Sequence, residues 1–329
     1  MKARDTLVAT HGHCFDGMTS AALFTQLLRS IDPGVAQSFR YRSCGYGPGM
    51  QQIPEGWLDG EVSAILDFRY TKSKKLTWYF DHHVTGFATA DERDAALAAA
   101  GKTGTSERPQ VHYDPTCGSC AKLIADVARE RFGVDLSAHA ELIAWANVID
   151  TAGFASAEAA TSKDEPVLQL AAVIEHHGDG PFLNTYVPRL LERGVNELAR
   201  DEAVQALWRP ICASRDTFTR RVEKAAVVRG PVVWVDLTDA PIDISAKFIT
   251  YALYPTATYS VQLARNKQHY KLSVGYNPWS GSPRRHDIAS ICRRYDGGGH
   301  PAVGACAFPL DALERARAAA QVIVTELGQ

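Results

Sequence analysis

Long apolar runs and a one-sided charge are both missing from this sequence of 329 residues. No uncharged apolar run approaches the length of a membrane span, and the N-terminal stretch MKARDTLVAT lacks the apolar core of an export signal. The 35 basic and 37 acidic side chains leave a formal net charge of -2, so no global basic field marks a binder of long duplex nucleic acid. We therefore expect a cytoplasmic protein without a membrane segment, in which any basic patch is local.

Disulfide bonds are not expected either. The seven cysteines are an odd number in a chain with no recognisable export signal, so we expect reduced thiols. Internal repeats and low-complexity segments are absent. Hydrophobic residues make up 46 % and charged residues 22 %, which is ordinary for a globular protein, and the length suffices for two domains.

The first two-thirds of the chain alternates between apolar strands and amphipathic helices. The stretches ARDTLVATH, VSAILDF and LTWYFDHH are typical of strands, whereas MTSAALFTQLLRS, CAKLIADVARERFG and SAHAELIAWANVID have helical spacing. Strands that alternate with helices favour a mostly parallel sheet with helices on both faces. We therefore predict an α/β fold whose N-terminal domain, residues 1–196, is built on such a sheet.

The last third of the chain has a different pattern. Residues 197–225 are mainly helical and polar, are broken by Pro210, and are typical of a connector. Beyond them AAVVRGPVVWVDL, ATYSVQLAR and HYKLSVGY alternate like half-exposed strands. A helix around DIASICRRY, a strand VGACAF and a closing helix follow. The pattern predicts a smaller C-terminal α/β domain over residues 226–329.

All three N-terminal strands end in side chains that can bind metal ions. Residues 11–16 (HGHCFD) follow the first strand, Asp67 the second and residues 81–83 (DHH) the third, and Asp150 follows an apolar helix. In a parallel sheet the carboxyl ends of the strands gather at one edge, where ligands bind. Alone, Asp67 could cap a turn, DHH could be a solvated loop and His11 could be a satisfied strand-end histidine. Together they describe the ligands of two hard divalent cations.

Two further pairs have simpler explanations. Cys117 and Cys120 have the spacing of a zinc knuckle but no partner pair nearby, and at a helix start the packing of small residues explains them better. His176 and His177 end a helix before a glycine, where a C-terminal cap is more typical than chemistry.

Five motifs together resemble the DHH phosphoesterases, a family that includes RecJ exonuclease, the nanoRNases and the family II pyrophosphatases. In order, the motifs are THGHCFDGMTSAA, AILDF, the DHH run at 81–83, NVID, and YDGGGHPAVGACAF, which is similar to the hallmark of the DHH-associated domain. Each motif is weak evidence alone. All five occur in the order expected for the family, and the resemblance covers nearly the whole chain. The resemblance implies a DHH domain, a DHH-associated domain and an active site in the cleft between them.

The resemblance also implies a hydrolase that uses two manganese ions. By analogy, Asp67 bridges the ions, one site is completed by Asp16, His82 and Asp150, and His11 contributes to the other. Two cations about 3.5–4 Å apart would activate a water and neutralise the phosphoryl oxygens during in-line attack.

Two residues of the DHH run have implied roles in catalysis. His83 would face the scissile phosphate, where it either stabilises charge or protonates the leaving oxygen. Asp81 would be an acceptor that fixes a histidine tautomer.

Cys14 departs from the family pattern, which has an aspartate at this position. A thiolate is a softer ligand than a carboxylate and would favour Zn²⁺, Fe²⁺ or Co²⁺ over Mn²⁺. Three alternatives are open: Cys14 binds the second metal, His13 substitutes for it, or the site holds one metal firmly and the other only with substrate. Because a form His-x-x-Cys-x-Asp-Gly occurs among DHH proteins, the cysteine does not imply loss of function.

The glycine run of the C-terminal domain is a candidate anion site. Backbone N–H groups without Cβ obstruction suit a phosphate or carboxylate, and neighbouring cationic side chains would add donors. A helix stop followed by a turn is the alternative. Arg284 and Arg285 could extend the patch, although an exposed loop explains them slightly better. The candidate substrate-binding residues are Gly297, Gly298, Gly299, His300, Arg293 and Arg294.

These observations favour a metal-dependent phosphoesterase acting on a small phosphorylated substrate, such as a short oligonucleotide or a nucleotide-like phosphoester. The alternatives are a pyrophosphate or polyphosphate hydrolase, and a non-catalytic nucleotide-binding regulatory protein on a DHH scaffold. A homodimer is compatible with the sequence, which does not decide the oligomeric state.

Overall fold

The structure is a computed structural model that describes residues 3–45, 53–101, 109–244, 246 and 248–329. The strands are β1 (Arg4–His11), β2 (Gln37–Cys44), β3 (Val62–Leu66), β4 (Trp78–Asp81), β5 (Gln110–Tyr113), β6 (Ala226–Arg229), β7 (Val232–Leu237), β8 (Tyr259–Arg265), β9 (Tyr270–Tyr276), β10 (Gly298–His300) and β11 (Val303–Phe308). The helices are α1 (Phe15–Ile31), α2 (Ala90–Ala99), α3 (Cys120–Phe132), α4 (Ala140–Asp150), α5 (Ala157–Ala160), α6 (Pro166–His177), α7 (Gly180–Arg193), α8 (Val195–Ala199), α9 (Glu202–Ala225), α10 (Ile249–Leu253), α11 (Ile288–Arg293) and α12 (Leu313–Leu327). None of the helices within these described stretches is long and apolar enough to cross a membrane.

The described residues pack into two compact units. The first comprises Met1–Gly153 and Asp164–Trp208, and the second comprises Phe154–Lys163 and Arg209–Gln329. The predicted domain bounds and the predicted active-site cleft stay predictions.

The first unit contains, in the part of the chain that is described, a sheet of five parallel strands in the order β2-β1-β3-β4-β5. Leu7, Val8 and Ala9 in β1 are completely buried. Since successive side chains of a strand point to opposite faces, both faces of β1 are covered. Helix α1 packs against α3, α4 and α7. The predicted α/β fold with a mostly parallel sheet flanked by helices is confirmed.

The register of the sheet places the polar strand ends in a row. Leu66 of β3 pairs with Thr10 of β1 on one side and with the penultimate residue of β4 on the other. The residues that come next, His11, Asp67 and Asp81, are therefore neighbours at the carboxyl edge. The chain order reverses beside β1, which lies between β2 and β3, and such a switch point is where parallel sheets bind ligands.

The connection from β1 into α1 is tight. The Thr10 hydroxyl donates to the carbonyl of Gly17 at 2.7 Å. A Cβ on Gly17 would lie 2.0 Å from the carbonyl oxygen of His11, so a side chain there would force strand and helix apart. Glycine at position 17 therefore lets residues 11–16 stay at the sheet edge.

The second unit contains, among its described residues, a mixed sheet of six strands in the order β10-β11-β9-β8-β7-β6. Strands β7 and β8 run parallel, and the other neighbouring pairs run antiparallel. Val261, Leu272 and Ile323 belong to an apolar cluster that joins this sheet to α12. The predicted α/β character of the C-terminal part is confirmed, and the glycine run contributes the short strand β10.

The prediction that Pro210 breaks the connector is wrong. Helix α9 continues from Glu202 through Pro210 to Ala225. A proline inside a helix removes one backbone hydrogen bond and costs about 3 kcal/mol. Buried side chains on both sides of Pro210, including Trp208 and Ile211, outweigh that cost through their packing.

Replacing Gly17 by alanine should destabilise the protein, although an alanine inside a helix ordinarily stabilises it. We expect Gly17→Ala to lower the free energy of unfolding by about 1–3 kcal/mol, since the added Cβ collides with the end of β1. Urea denaturation measures this change. Gly34→Ala is the matched control, because a Cβ there meets no atom within 4 Å. Equal stability of the two variants would contradict the proposed close approach.

Candidate metal centre

Asp67 lies at the centre of the candidate site. It follows β3 in the left-handed region, with φ 55°, and its side chain is 1 % exposed. Neither carboxylate oxygen has a hydrogen bond within the described part of the chain, and the nearest histidine nitrogens, His11 Nδ1 and His82 Nε2, are each 3.5 Å away. Burial would raise the pKa of Asp67, but the neighbouring histidines outweigh it and lower the pKa to about 2. A buried, ionised carboxylate without donors fits a bound cation.

The imidazole of His82 is oriented so that one nitrogen faces three carboxylates. Its Nδ1 lies 3.0 Å from the carbonyl of Cys117, and because a carbonyl only accepts, Nδ1 carries a proton. Its Nε2 lies 3.3 Å from Asp150 Oδ2, 3.5 Å from Asp67 Oδ1 and 3.7 Å from Asp16 Oδ2. Burial opposes protonation, yet these carboxylates raise the pKa of His82 to about 10. Either a proton or a metal ion must therefore lie between Nε2 and the carboxylates.

Asp16, in the first turn of α1, is held by another helix. Its Oδ2 accepts the backbone N–H of Cys120 at 2.7 Å, and its Oδ1 accepts that of Ala121 at 2.9 Å, both at the N-terminus of α3. Burial, followed by the charges of Asp67 and Asp150, raises the pKa of Asp16 well above its usual range. Each oxygen keeps a lone pair, so the helix fixes the carboxylate while leaving it able to bind a cation.

Three groups of side chains bring candidate ligand atoms within 4.8 Å of one another. Asp67 and His82 each belong to two of the groups, as expected for ligands near a pair of ions. The groups are His11, Cys14 and Asp67; Asp67, His82 and His83; and Asp16, His82 and Asp150.

His13 and Cys14 are adjacent residues before α1, but their side chains have different neighbours. Cys14 is the N-terminal flanking residue of α1 and lies with His11 and Asp67 in a candidate ligand group. His13 is exposed, and its Nδ1 is 3.2 Å from the carbonyl of Glu175. Burial, and then the charge of Asp67, raise the pKa of the Cys14 thiol well above its ordinary value. The geometry places Cys14, rather than His13, beside the other candidate ligands.

Asp81 and His83 form a hydrogen-bonded pair next to the candidate metal ligands. Asp81 is completely buried, and its Oδ1 lies 2.8 Å from His83 Nδ1. Its Oδ2 accepts the hydroxyl of Tyr79 at 2.9 Å. Burial works against the charged imidazole, but the bond to Asp81 and the charge of Asp67 raise the pKa of His83.

The candidate anion-binding residues lie in the second unit. Gly298, Gly299 and His300 form an edge strand, in which His300 is exposed. Arg293 is exposed and donates to the Ser290 hydroxyl at 2.6 Å, whereas Arg294 forms an ion pair with Glu326. Of the two arginines, Arg293 is therefore better placed to meet an anion, because the charge of Arg294 is already neutralised.

The remaining pairs make backbone contacts. The thiols of Cys117 and Cys120 donate to the carbonyls of Ser119 and Phe80, each at 3.4 Å. His176 Nδ1 lies 2.8 Å from the carbonyl of Ala172, near the end of α6.

The sequence matches no family model and no curated protein significantly. Among solved structures, the pGpG-specific phosphodiesterase PggH from Vibrio cholerae is 17 % identical over 99 % of both chains, with a TM-score of 0.68. A DHH domain from a member of the s1p family of ribosomal proteins is 16 % identical over 98 % of this chain and 86 % of that one, with a TM-score of 0.62. This chain has the DHH fold.

A third solved structure extends the comparison to a metal complex. RecJ from Thermus thermophilus in complex with Mn²⁺ is 13 % identical over 98 % of this chain and 52 % of that one, with a TM-score of 0.54. The resemblance to the DHH phosphoesterases is thus confirmed at the level of the fold. On the DHH fold of this chain, imidazole and carboxylate groups that could bind metal converge at one edge of the parallel sheet.

Changing Cys14 should alter which metals bind. Cys14→Asp should shift the preference toward Mn²⁺, because a carboxylate is a harder ligand than a thiolate, and Cys14→Ser should weaken one ion more than the other. Elemental analysis after competition between Mn²⁺ and Zn²⁺ measures the preference. His13→Ala is the matched control and should retain the metal content of the original protein. Unchanged content in both Cys14 variants, with loss of an ion in His13→Ala, would assign the ligand to His13 instead.

Proposed function

We propose that this protein belongs to the DHH phosphoesterases and hydrolyses a phosphodiester in a short oligonucleotide with the help of two divalent cations. The observation that carries the proposal is the environment of Asp67 and His82. Neither buried carboxylate oxygen of Asp67 has a hydrogen bond in the described part of the chain. Its Oδ1 lies 3.5 Å from His82 Nε2, which Asp16 and Asp150 also approach. Bound divalent cations would relieve the repulsion among these carboxylates and would supply the chemistry of a phosphoesterase.

The similarity to PggH supports the substrate class. That protein is described as a pGpG-specific phosphodiesterase, and the two chains overlap over 99 % of each other's length. The formal net charge of -2 argues against a long duplex as substrate, since proteins that bind long duplexes present strongly basic surfaces. We therefore favour a linear dinucleotide or a similarly small nucleotide ester.

The hydrogen bonds and ligand groups suggest which residues would bind the cations and which would act on the substrate. When bound, the two cations supply Lewis acidity that activates a water and neutralises phosphoryl oxygens. Asp67 would bridge them, and His11, Cys14, Asp16, His82 and Asp150 would complete the two sites. His83, held through Nδ1 by Asp81, keeps Nε2 for the scissile phosphate.

Mn²⁺ is our proposed metal, because the candidate ligands include three carboxylates and RecJ, which shares the fold, was solved with Mn²⁺. Cys14 extends the candidates to Zn²⁺, Fe²⁺ and Co²⁺. We place the reaction in the cytoplasm, where the seven cysteines, all free in the structure, would stay reduced.

A substrate panel tests the function. The manganese-loaded protein should hydrolyse pGpG or another dinucleotide faster than cyclic dinucleotides, phosphoadenosine phosphate or pyrophosphate. Asp67→Ala should lose both turnover and bound metal, because its carboxylate would hold both ions. Wild-type turnover in Asp67→Ala would contradict the two-metal proposal. Turnover of pyrophosphate alone would support the polyphosphate alternative, and nucleotide binding without any turnover would support a regulatory protein.

His300 and His83 should differ in how their loss depends on the substrate. His300→Ala should lower activity on the dinucleotide roughly ten- to a hundredfold more than on bis-p-nitrophenyl phosphate, since one charge-assisted hydrogen bond of about 1.5–3 kcal/mol is lost. His83→Ala should damage both reactions alike, because His83 would act at the scissile phosphate. The measurement is the ratio of the two rates in each variant. Equal ratios would refute the assignment of His300 to substrate binding.

A further inference from the structure

Tyr79 is a buried tyrosine whose hydroxyl reaches the DHH run from inside the sheet. It lies two positions before Asp81 on β4, so both side chains point to the same face of the strand. Its side chain is completely buried. Its hydroxyl lies 2.9 Å from Asp81 Oδ2 and 3.4 Å from the carbonyl of Gly86. Since a tyrosine has one hydroxyl proton, the shorter contact indicates that the proton goes to Asp81.

The other oxygen of Asp81 faces His83. Asp81 Oδ1 lies 2.8 Å from His83 Nδ1 and accepts the backbone N–H of His83 at 3.2 Å. Tyr79, Asp81 and His83 are thus joined in a chain of hydrogen bonds, with one carboxylate oxygen given to each side chain. If these hydrogen bonds hold a proton on Nδ1 of His83, its Nε2 is the unprotonated ring nitrogen.

The space around the carboxylate is closed. A Cβ on Gly86 would lie 2.0 Å from Asp81 Oδ2 and 2.9 Å from the Tyr79 hydroxyl, so the backbone of Gly86 already lies against both groups. Asp81 is 0 % exposed, so solvent does not reach its carboxylate from outside. The Tyr79 hydroxyl is therefore a fixed donor that sets the rotation of the carboxylate.

We propose that Tyr79 is a positioning residue for phosphodiester hydrolysis, which fixes the carboxylate of Asp81 and through it the ring orientation and tautomer of His83. The inference rests on the proposed function and adds to it a residue outside the DHH run. Tyr79 touches neither substrate nor metal in this scheme. It acts only through His83.

Tyr79→Phe removes the hydroxyl and keeps the ring that packs on Tyr70 and Phe87. In the manganese-loaded enzyme we expect kcat to fall roughly ten- to a hundredfold, the range seen when outer partners of a site are removed. KM for the dinucleotide and metal content should stay within about twofold of wild type. Tyr70→Phe, in the same aromatic cluster, should keep wild-type kcat.

A double-mutant cycle distinguishes positioning from general damage. In the His83→Ala background Tyr79→Phe should change kcat by less than about twofold, because the residue through which it acts is gone. The same fold loss in both backgrounds, an unchanged kcat in the single variant, or loss of metal from Tyr79→Phe would each overturn the proposal.

A spectroscopic measurement keeps the proposal testable without turnover. In magnesium-loaded protein with nitrogen-15 histidine, the His83 ring should show a single Nδ1–H tautomer, assigned by its absence in His83→Ala. Tyr79→Phe should give a mixture of tautomers, and an unchanged ring spectrum would overturn the positioning role. If the wild-type protein hydrolyses no substrate, the proposed function fails, and this spectrum alone decides the role of Tyr79.

Discussion

Repulsion among carboxylates is the constraint on which the rest of the site depends. Asp16, Asp67 and Asp150 all approach one nitrogen of His82. Burial keeps Asp16 and Asp67 away from the water that would otherwise screen their charges, whereas the Asp150 side chain is 28 % exposed. Such an arrangement persists only if the surrounding backbone fixes the position of each carboxylate. The N-terminus of α3 holds Asp16, the left-handed turn after β3 holds Asp67, and the last turn of α4 carries Asp150.

The parallel sheet explains why these groups meet. Neighbouring strands in register end at the same level, so a polar residue that follows each apolar strand joins a single row. Gly17, in the first turn of α1, then lets this helix lie directly against the end of β1, which adds Cys14 and Asp16 to the row. One edge of a sheet thereby collects residues from distant parts of the sequence.

Much of the fold could be predicted from the sequence, because β1, β3 and β4 are apolar runs with abrupt polar ends. Strand β2 was not predicted, since Arg40 and Arg42 interrupt its apolar pattern, and their ion pairs with acidic neighbours depend on tertiary contacts. The carbonyl of Cys117 that orients His82 could not be predicted either, because a backbone contact leaves no mark on residue identity. The contact between Tyr79 and Asp81 left only a weak signal in the sequence, which is that the two residues lie two positions apart on one strand.

The bond between Asp16 and α3 has a consequence for the order of folding. The residues it joins are 104 and 105 positions apart, whereas Ser119 caps the same helix locally through the N–H of Lys122. The helix can thus begin with its own cap, but its first two N–H groups find their partner only when α1 docks. Contacts of such long range form late, because the chain must close a large loop first. During synthesis, the carboxylate edge therefore stays incomplete until the chain has grown past α4, because a chain that ends earlier lacks Asp150.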